Sequence, residues 1–139
     1  MNDLASGDTG AQPEAHSPPH GNLLSSFEFA FLGFAHVFRT QRNMRIHLAV
    51  AATVTCLGLY LGLDWLQWAV LWLAIGFVIV AEMFNTVAEA ALDAATPTYH
   101  PLVKVAKDAA AGAVLVTAIV SLIVGLLVLG PVLLRRIGG

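Results

Sequence analysis

Three long apolar stretches, residues 46–63, 65–81 and 109–134, constrain this chain more than any other feature of it. Each is close to the ~20 residues that an α-helix needs to cross the hydrocarbon layer of a bilayer. The break at Gly62, Leu63 and Asp64 leaves room only for a tight turn, so the first two spans must form an antiparallel hairpin. Tyr60, Trp65 and Trp68 gather there as interfacial anchors. The chain is 58% hydrophobic and 12% charged, against about half and about a quarter in a soluble domain. That composition cannot cover a water-soluble fold, and the expected class is an all-α membrane protein.

Upstream of the spans, residues 23–41 carry Phe27, Phe31, Phe34 and Phe38 at helical spacing, joined by Ala30, Ala35 and Val37. Glu28, His36, Arg39 and Thr40 fall on the other side, although Phe29 and Leu32 interrupt it. This pattern predicts an amphipathic helix lying in the membrane interface. Residues 1–22, rich in Pro and Gly and without apolar periodicity, read as a disordered tail ahead of one membrane domain over residues 23–139. No Lys or Arg precedes Arg39, and no long apolar run precedes Ile46. A cleavable signal peptide is therefore not expected.

Arg39, Arg42 and Arg45 lie before the first span and Lys104 and Lys107 before the third, whereas the tight turn has no basic residue. The excess of positive charge on cytoplasmic loops then puts the N-terminus and the second loop inside and the C-terminus outside, with Arg135 and Arg136 outnumbered. A formal charge of −2 supplies no basic field for nucleic acid. Cys56, the single cysteine, excludes an intrachain disulfide and any multi-cysteine metal site.

The chemistry concentrates where the second span ends. Glu82, Asn85, Glu89 and Asp93 continue that span with no Gly or Pro between them, and at about 100° per residue they share one narrow helix face. Glu82 follows 17 residues without a charge, which sets its carboxylate at the edge of the hydrocarbon. A carboxylate there is costly and marks a functional site. Met83, Phe84, Val87, Ala90 and Ala91 on the opposite side aim the acids inward. Pro97 is expected to end this helix, and Thr98, Tyr99, His100 and Pro101 to form a short cytoplasmic connection. Lys107 on the next helix stands at the depth of the acids, as in a site that holds a metal together with phosphates; it also suits an ordinary interfacial anchor. Ala109, Ala110, Ala111, Gly112 and Ala113 are small enough to let that helix approach the one carrying Glu82.

The standard phosphate-binding glycine loops, the zincin helix and the hydrolase nucleophile elbow are absent, and the five histidines show no ligand spacing. Two function classes remain open on the residues alone: a membrane enzyme acting through carboxylate-held metal on a phosphorylated substrate, or a small ion- or proton-coupled transporter subunit. A relay would set ionisable groups deeper in the spans. Spans one and three contain no charged residue after His47 and before Arg135, which favours the enzyme. A passive assembly subunit leaves the acidic face without a role.

The stretch AEMFNTVAEAALDAATPTYHPLVKVAKDAAAGAVL, residues 81–115, closely resembles the prokaryotic diacylglycerol kinase and undecaprenol kinase family. Its signature is E-x-x-N-T-x-x-E-x-x-x-D followed by Y-H and A-K-D. The likeness extends back through Arg42-Asn43-Met44-Arg45-Ile46-His47 to Phe27. The resemblance implies a homotrimer in the bacterial inner membrane that moves the γ-phosphate of ATP, with Mg²⁺, to a lipid hydroxyl. By the same resemblance Glu82 is the catalytic carboxylate, Asn85 a substrate-binding residue and Glu89 a metal ligand. Lys107 and Asp108 fall in the nucleotide-phosphate region, and Tyr99 and His100 in the loop over the nucleotide.

Members of that family carry an acidic metal ligand just before the Arg-Asn pair, where this chain has Gln41. An amide oxygen ligates Mg²⁺ without bringing charge, so weaker metal affinity is expected. Tyr99-His100-Pro101-Leu102 and Arg45-Ile46-His47 look more like the undecaprenol kinase type, with diacylglycerol the alternative acceptor. Selectivity between them is expected from a groove between the Phe-rich helix and the spans.

Overall fold

The computed structural model describes residues 22–96 and 98–138. These form α1 (Leu23–Thr40), α2 (Arg42–Leu61), α3 (Trp65–Ala95) and α4 (Pro101–Gly138), with no strand among the described residues. α2, α3 and α4 are each long and apolar enough to cross a membrane. The tail expected over residues 1–22 lies, Asn22 apart, outside the described residues, and so does the stop expected at Pro97. α3 itself closes at Ala95, with the Thr96 N–H donating to the Leu92 carbonyl.

The helices outrun the apolar stretches that predict them. α3 continues 14 residues past Ala81, and α4 begins eight residues before Ala109. Ala, Glu, Leu and Lys are strong helix formers, so nothing in those flanks stops the helix. With 31 and 38 residues, α3 and α4 are about 46 and 57 Å long at ~1.5 Å per residue. Both stand well clear of a hydrocarbon layer ~30 Å thick. α3 and α4 form the most extensive pairing, and α2 leans on both.

The α2–α3 turn is fully specified by local chemistry. Gly62 adopts the left-handed conformation at φ 69°, which costs a residue without Cβ nothing. Its N–H reaches the Leu59 carbonyl at 3.3 Å while the Leu63 N–H reaches the Gly58 carbonyl at 3.3 Å. These two bonds satisfy the Gly58 and Leu59 carbonyls of the last turn of α2 in a Schellman arrangement. Asp64 then accepts from the Gln67 N–H at 2.9 Å and the Gln67 side chain accepts from the Asp64 N–H at 2.9 Å, a reciprocal capping box that starts α3. Leu61, Leu63, Leu71 and Leu129 bury one another beside this turn. Trp68 stacks on Trp72 with ring centroids 6.4 Å apart. Arg136 lies 4.8 Å over the ring of Tyr60 and ties the end of α4 to the end of α2.

Hydroxyl groups inside the spans find carbonyls, as they must where no water is at hand. Thr53, Thr55, Thr86 and Thr117 each donate to a carbonyl within their own helix. Ser121 of α4 instead donates across to the Ala74 carbonyl of α3 at 2.9 Å. α1 buries only Val37. Phe27 and Phe31 stay about three-quarters exposed, and Phe29 and Leu32 also face out. So apolar a surface suits a helix lying against lipid.

Candidate active site

Glu82 lies 17 residues beyond Trp65, which is about 26 Å along the helix axis. With Trp65 at one interface, that is just short of the far edge of the ~30 Å hydrocarbon layer. Glu89 and Asp93, about 36 and 42 Å along, stand beyond it. One helix therefore carries a single row of polar groups from lipid into water.

Burial along that row falls in the same direction. Glu82 is 1% exposed and Asn85 7%, whereas Glu89 is half-buried and Asp93 exposed. The Asn85 Nδ2 donates to Glu89 Oε1 at 3.0 Å. Glu82 Oε2 and Asn85 Oδ1 are buried and accept no hydrogen bond. A buried acceptor left bare costs free energy unless something supplies a donor or a cation. Glu82, Asn85 and Glu89 line a cavity of about 300 Å³. Asn43, Ile46 and His47 of α2 and Ala111, Val114, Leu115 and Ala118 of α4 complete it.

Glu82, Asn85 and Glu89 are thus brought together, as their spacing predicts. The other residues singled out in the sequence are not on that wall. Lys107 forms an ion pair with Asp93, one helical turn before Ala111 on the cavity side of α4. Asp108 pairs with Lys104 at the helix surface. Tyr99 is 79% exposed. His100 caps α4, its Nδ1 accepting from the Leu102 N–H at 3.2 Å. Gln41 sits at the joint between α1 and α2, half-buried and off the cavity wall. A Cβ at Gly112 would meet nothing within 4 Å. The close approach expected of the small-residue run is therefore not made there, and only Ala111 of that run lines the cavity.

Asn43 and His47 are additions that composition and spacing did not single out. They fall one turn apart on α2 and reach the acids only through tertiary packing. Their sole sequence signal is the Arg42–His47 segment, which carried resemblance but no assigned role. A second cavity, about 510 Å³, runs on from the first between α2, α3 and α4 toward the α2–α3 turn. No α1 residue lines it. The apolar space next to the acids therefore lies among the spans, and not against the Phe-rich helix where the sequence placed the groove. α1 fails to wall it because Val37 is its only buried residue.

Residues 28–129 match the family model described as prokaryotic diacylglycerol kinase. The chain belongs to that family. Among curated relatives, the Undecaprenol kinase of Bacillus subtilis is 40% identical over 119 residues, 83% of this chain and 97% of that protein. The Diacylglycerol kinase of Synechocystis is 44% identical over 114 residues, 81% of this chain and 65% of that one. That of Helicobacter pylori is 40% identical over 57 residues, covering 41% of this chain and 44% of its own length. This member of the family is a membrane-embedded lipid kinase, which transfers phosphate from ATP to a hydroxyl. The transporter alternative falls with that assignment.

Proposed function

We propose that this kinase phosphorylates a polyprenol, with undecaprenol giving undecaprenyl phosphate, and that Glu82 is the general base. The observation carrying this reading is the bare, buried Oε2 of Glu82, which lines a polar cavity that shares Ile46, His47 and Ala118 with an apolar one. A lipid hydroxyl delivered from the apolar side gives that oxygen the proton it lacks. As the hydroxyl oxygen bonds to the γ-phosphorus, Glu82 takes its proton, the bond from the γ-phosphorus to the β-bridging oxygen breaks, and ADP leaves. Asn85 orients the reacting groups through its free Oδ1, while its Nδ2 holds Glu89.

The oxygen-only donors here suit Mg²⁺. Among the described residues no three His, Cys, Asp or Glu side chains gather as a metal site. The residues thus fit an ion carried mainly by nucleotide phosphates, with Glu89 supplying one carboxylate. When bound, Mg²⁺ offsets charge on the transferring phosphoryl group. Lys107 serves the phosphates as well. Its pairing with Asp93 is an exposed one, a kind that contributes only about 0–1 kcal/mol, so exchange for phosphate is cheap. Asp108, Tyr99 and His100 border the same aqueous end and are assigned to the nucleotide.

The polyprenol acceptor is supported by the near end-to-end match to the Bacillus subtilis relative. Diacylglycerol is the alternative. Purified protein given ATP and both lipids in mixed micelles should show a higher kcat/KM for the polyprenol. A clear preference for diacylglycerol overturns the choice of acceptor. We further propose a homotrimer in the bacterial inner membrane, with the site cytoplasmic and the end of α4 outside. Gly138→Cys in a Cys56→Ala background should then react with an impermeant thiol reagent in intact cells. Labelling only after lysis reverses the orientation.

A further inference from the structure

Three residues belong to both cavities: Ile46, His47 and Ala118. Of these only His47 is polar. The apolar cavity has one other polar side chain, Ser121, and its hydroxyl is already committed to the Ala74 carbonyl. Nothing beyond His47 on that side therefore calls for a polar ligand atom. On the other side α4 contributes only apolar side chains to the wall, and the remaining polar groups are Asn43, Glu82, Asn85 and Glu89. His47 is the sole polar group at the seam.

We infer that His47 positions the lipid acceptor. In this arrangement the hydroxyl end of the acceptor's hydrocarbon chain, its first few isoprene units, occupies the cavity between α2, α3 and α4, and its hydroxyl is held by the half-buried imidazole that lines the same cavity as Glu82. The inference rests on the reading of Glu82 as the base and extends it to the residue that delivers the substrate. Geometry dictates the occupant. The apolar cavity adjoins the acid-lined one through Ile46, His47 and Ala118, its volume of about 510 Å³ falls within the range of single-ligand pockets, and apart from His47 its lining offers no unpaired polar side chain. A neutral imidazole has one donor and one acceptor nitrogen. By donating to the hydroxyl oxygen it leaves the hydroxyl proton directed at Glu82 Oε2. The fit is to a long alcohol whose hydroxyl-bearing carbon leads straight into hydrocarbon. A glycerol backbone would set ester carbonyls against an apolar wall with no donor for them.

The test uses the full-length purified protein in mixed micelles with a long-chain polyprenol and ATP, KM and kcat being measured for each substrate. His47→Ala should raise the polyprenol KM about tenfold, the loss of one buried hydrogen bond, with the ATP KM unmoved. His47→Gln, which keeps a donor and an acceptor, should recover most of it. An unchanged polyprenol KM, or a loss confined to kcat that Gln does not recover, overturns the assignment. Gly125→Leu probes the chain directly, since Gly125 lines the apolar cavity and a Cβ there meets no atom within 4 Å. It should raise the KM for the long polyprenol more than for a short prenol. Equal effects on both, or a change in oligomeric mass alone, would mean that bulk lipid or a second copy fills the cavity. Glu82→Gln run in parallel separates the two readings. Retained turnover there with a raised lipid KM in His47→Ala removes the base and leaves the seam; the reverse pattern removes the seam and leaves the base.

Discussion

The two ends of the α2–α3 hairpin are built to opposite rules. At the turn, the Gly58 and Leu59 carbonyls and the Asp64 and Gln67 N–H groups find partners in the Gly62 cap and the Asp64–Gln67 box, and four leucines close over one another. At the other end, two buried oxygens have none. The well-satisfied end holds the helices in register, and the unsatisfied end is where a substrate proton and phosphate charge find their complement. Stability and chemistry are thus separated by roughly the thickness of the hydrocarbon layer.

The sharpest way to break that division is at Glu82. Glu82→Gln preserves volume and keeps an acceptor oxygen but cannot take a proton, so kcat should fall by about 10² or more while helix content and thermal stability hold. Turnover near wild type would remove Glu82 from the chemistry. A collapse of stability would show that the acid end also supports the fold.

The complementary change is Gly58→Ala at the turn end. A Cβ there would lie 2.8 Å from Trp68 Cη2 and 2.9 Å from Leu63 Cδ1. The leucine terminus can rotate away, but Trp68 is held by its stack on Trp72. Overpacking of this kind costs about 1–3 kcal/mol. Thermal denaturation should therefore shift down while kcat measured below the transition stays unchanged. Lost turnover in a variant of normal stability would couple the two ends and defeat the comparison.

The same contrast explains how much of the molecule was legible in the sequence. The turn end is local: Gly62, Asp64 and Gln67 act within a few residues of one another, and the apolar stretches around them announce the helices. The acidic row was legible for the same reason, since i, i+3, i+7 and i+11 on one helix share a face whatever surrounds them. The partners of that row were not. Asn43 and His47 come from α2, and their facing Glu82 depends on how α2 leans on α3 and α4, which no local pattern records. Lys107 was read as level with the acids and does pair with one of them, Asp93, across the connection, but which acid it meets was not legible. The acceptor groove was expected between the Phe-rich helix and the spans, whereas the apolar cavity beside the acids is lined by α2, α3 and α4 alone. Where the space lies was decided by packing among the spans.

The smallest expected effect tests whether the joint between α1 and α2 belongs to the site at all. Gln41 closes α1, its N–H donating to the Val37 carbonyl at 2.8 Å, and stands at the start of α2 without a side-chain capping bond. If it helps Glu89 hold Mg²⁺ alongside the nucleotide, Gln41→Glu adds a charge to the set and should lower the Mg²⁺ concentration for half-maximal activity a few-fold, and Glu89→Gln should raise it. A carboxylate at the start of α2 also favours the helix dipole by about 0.3–1 kcal/mol, with no metal involved. The two effects separate cleanly, since the dipole term appears in thermal stability without Mg²⁺ and the metal term in the Mg²⁺ titration. A stability gain with an unmoved titration would assign Gln41 to the helix end and leave Glu89 as the kinase's single protein ligand for the ion. An unmoved titration in both variants would place the ion wholly on the nucleotide.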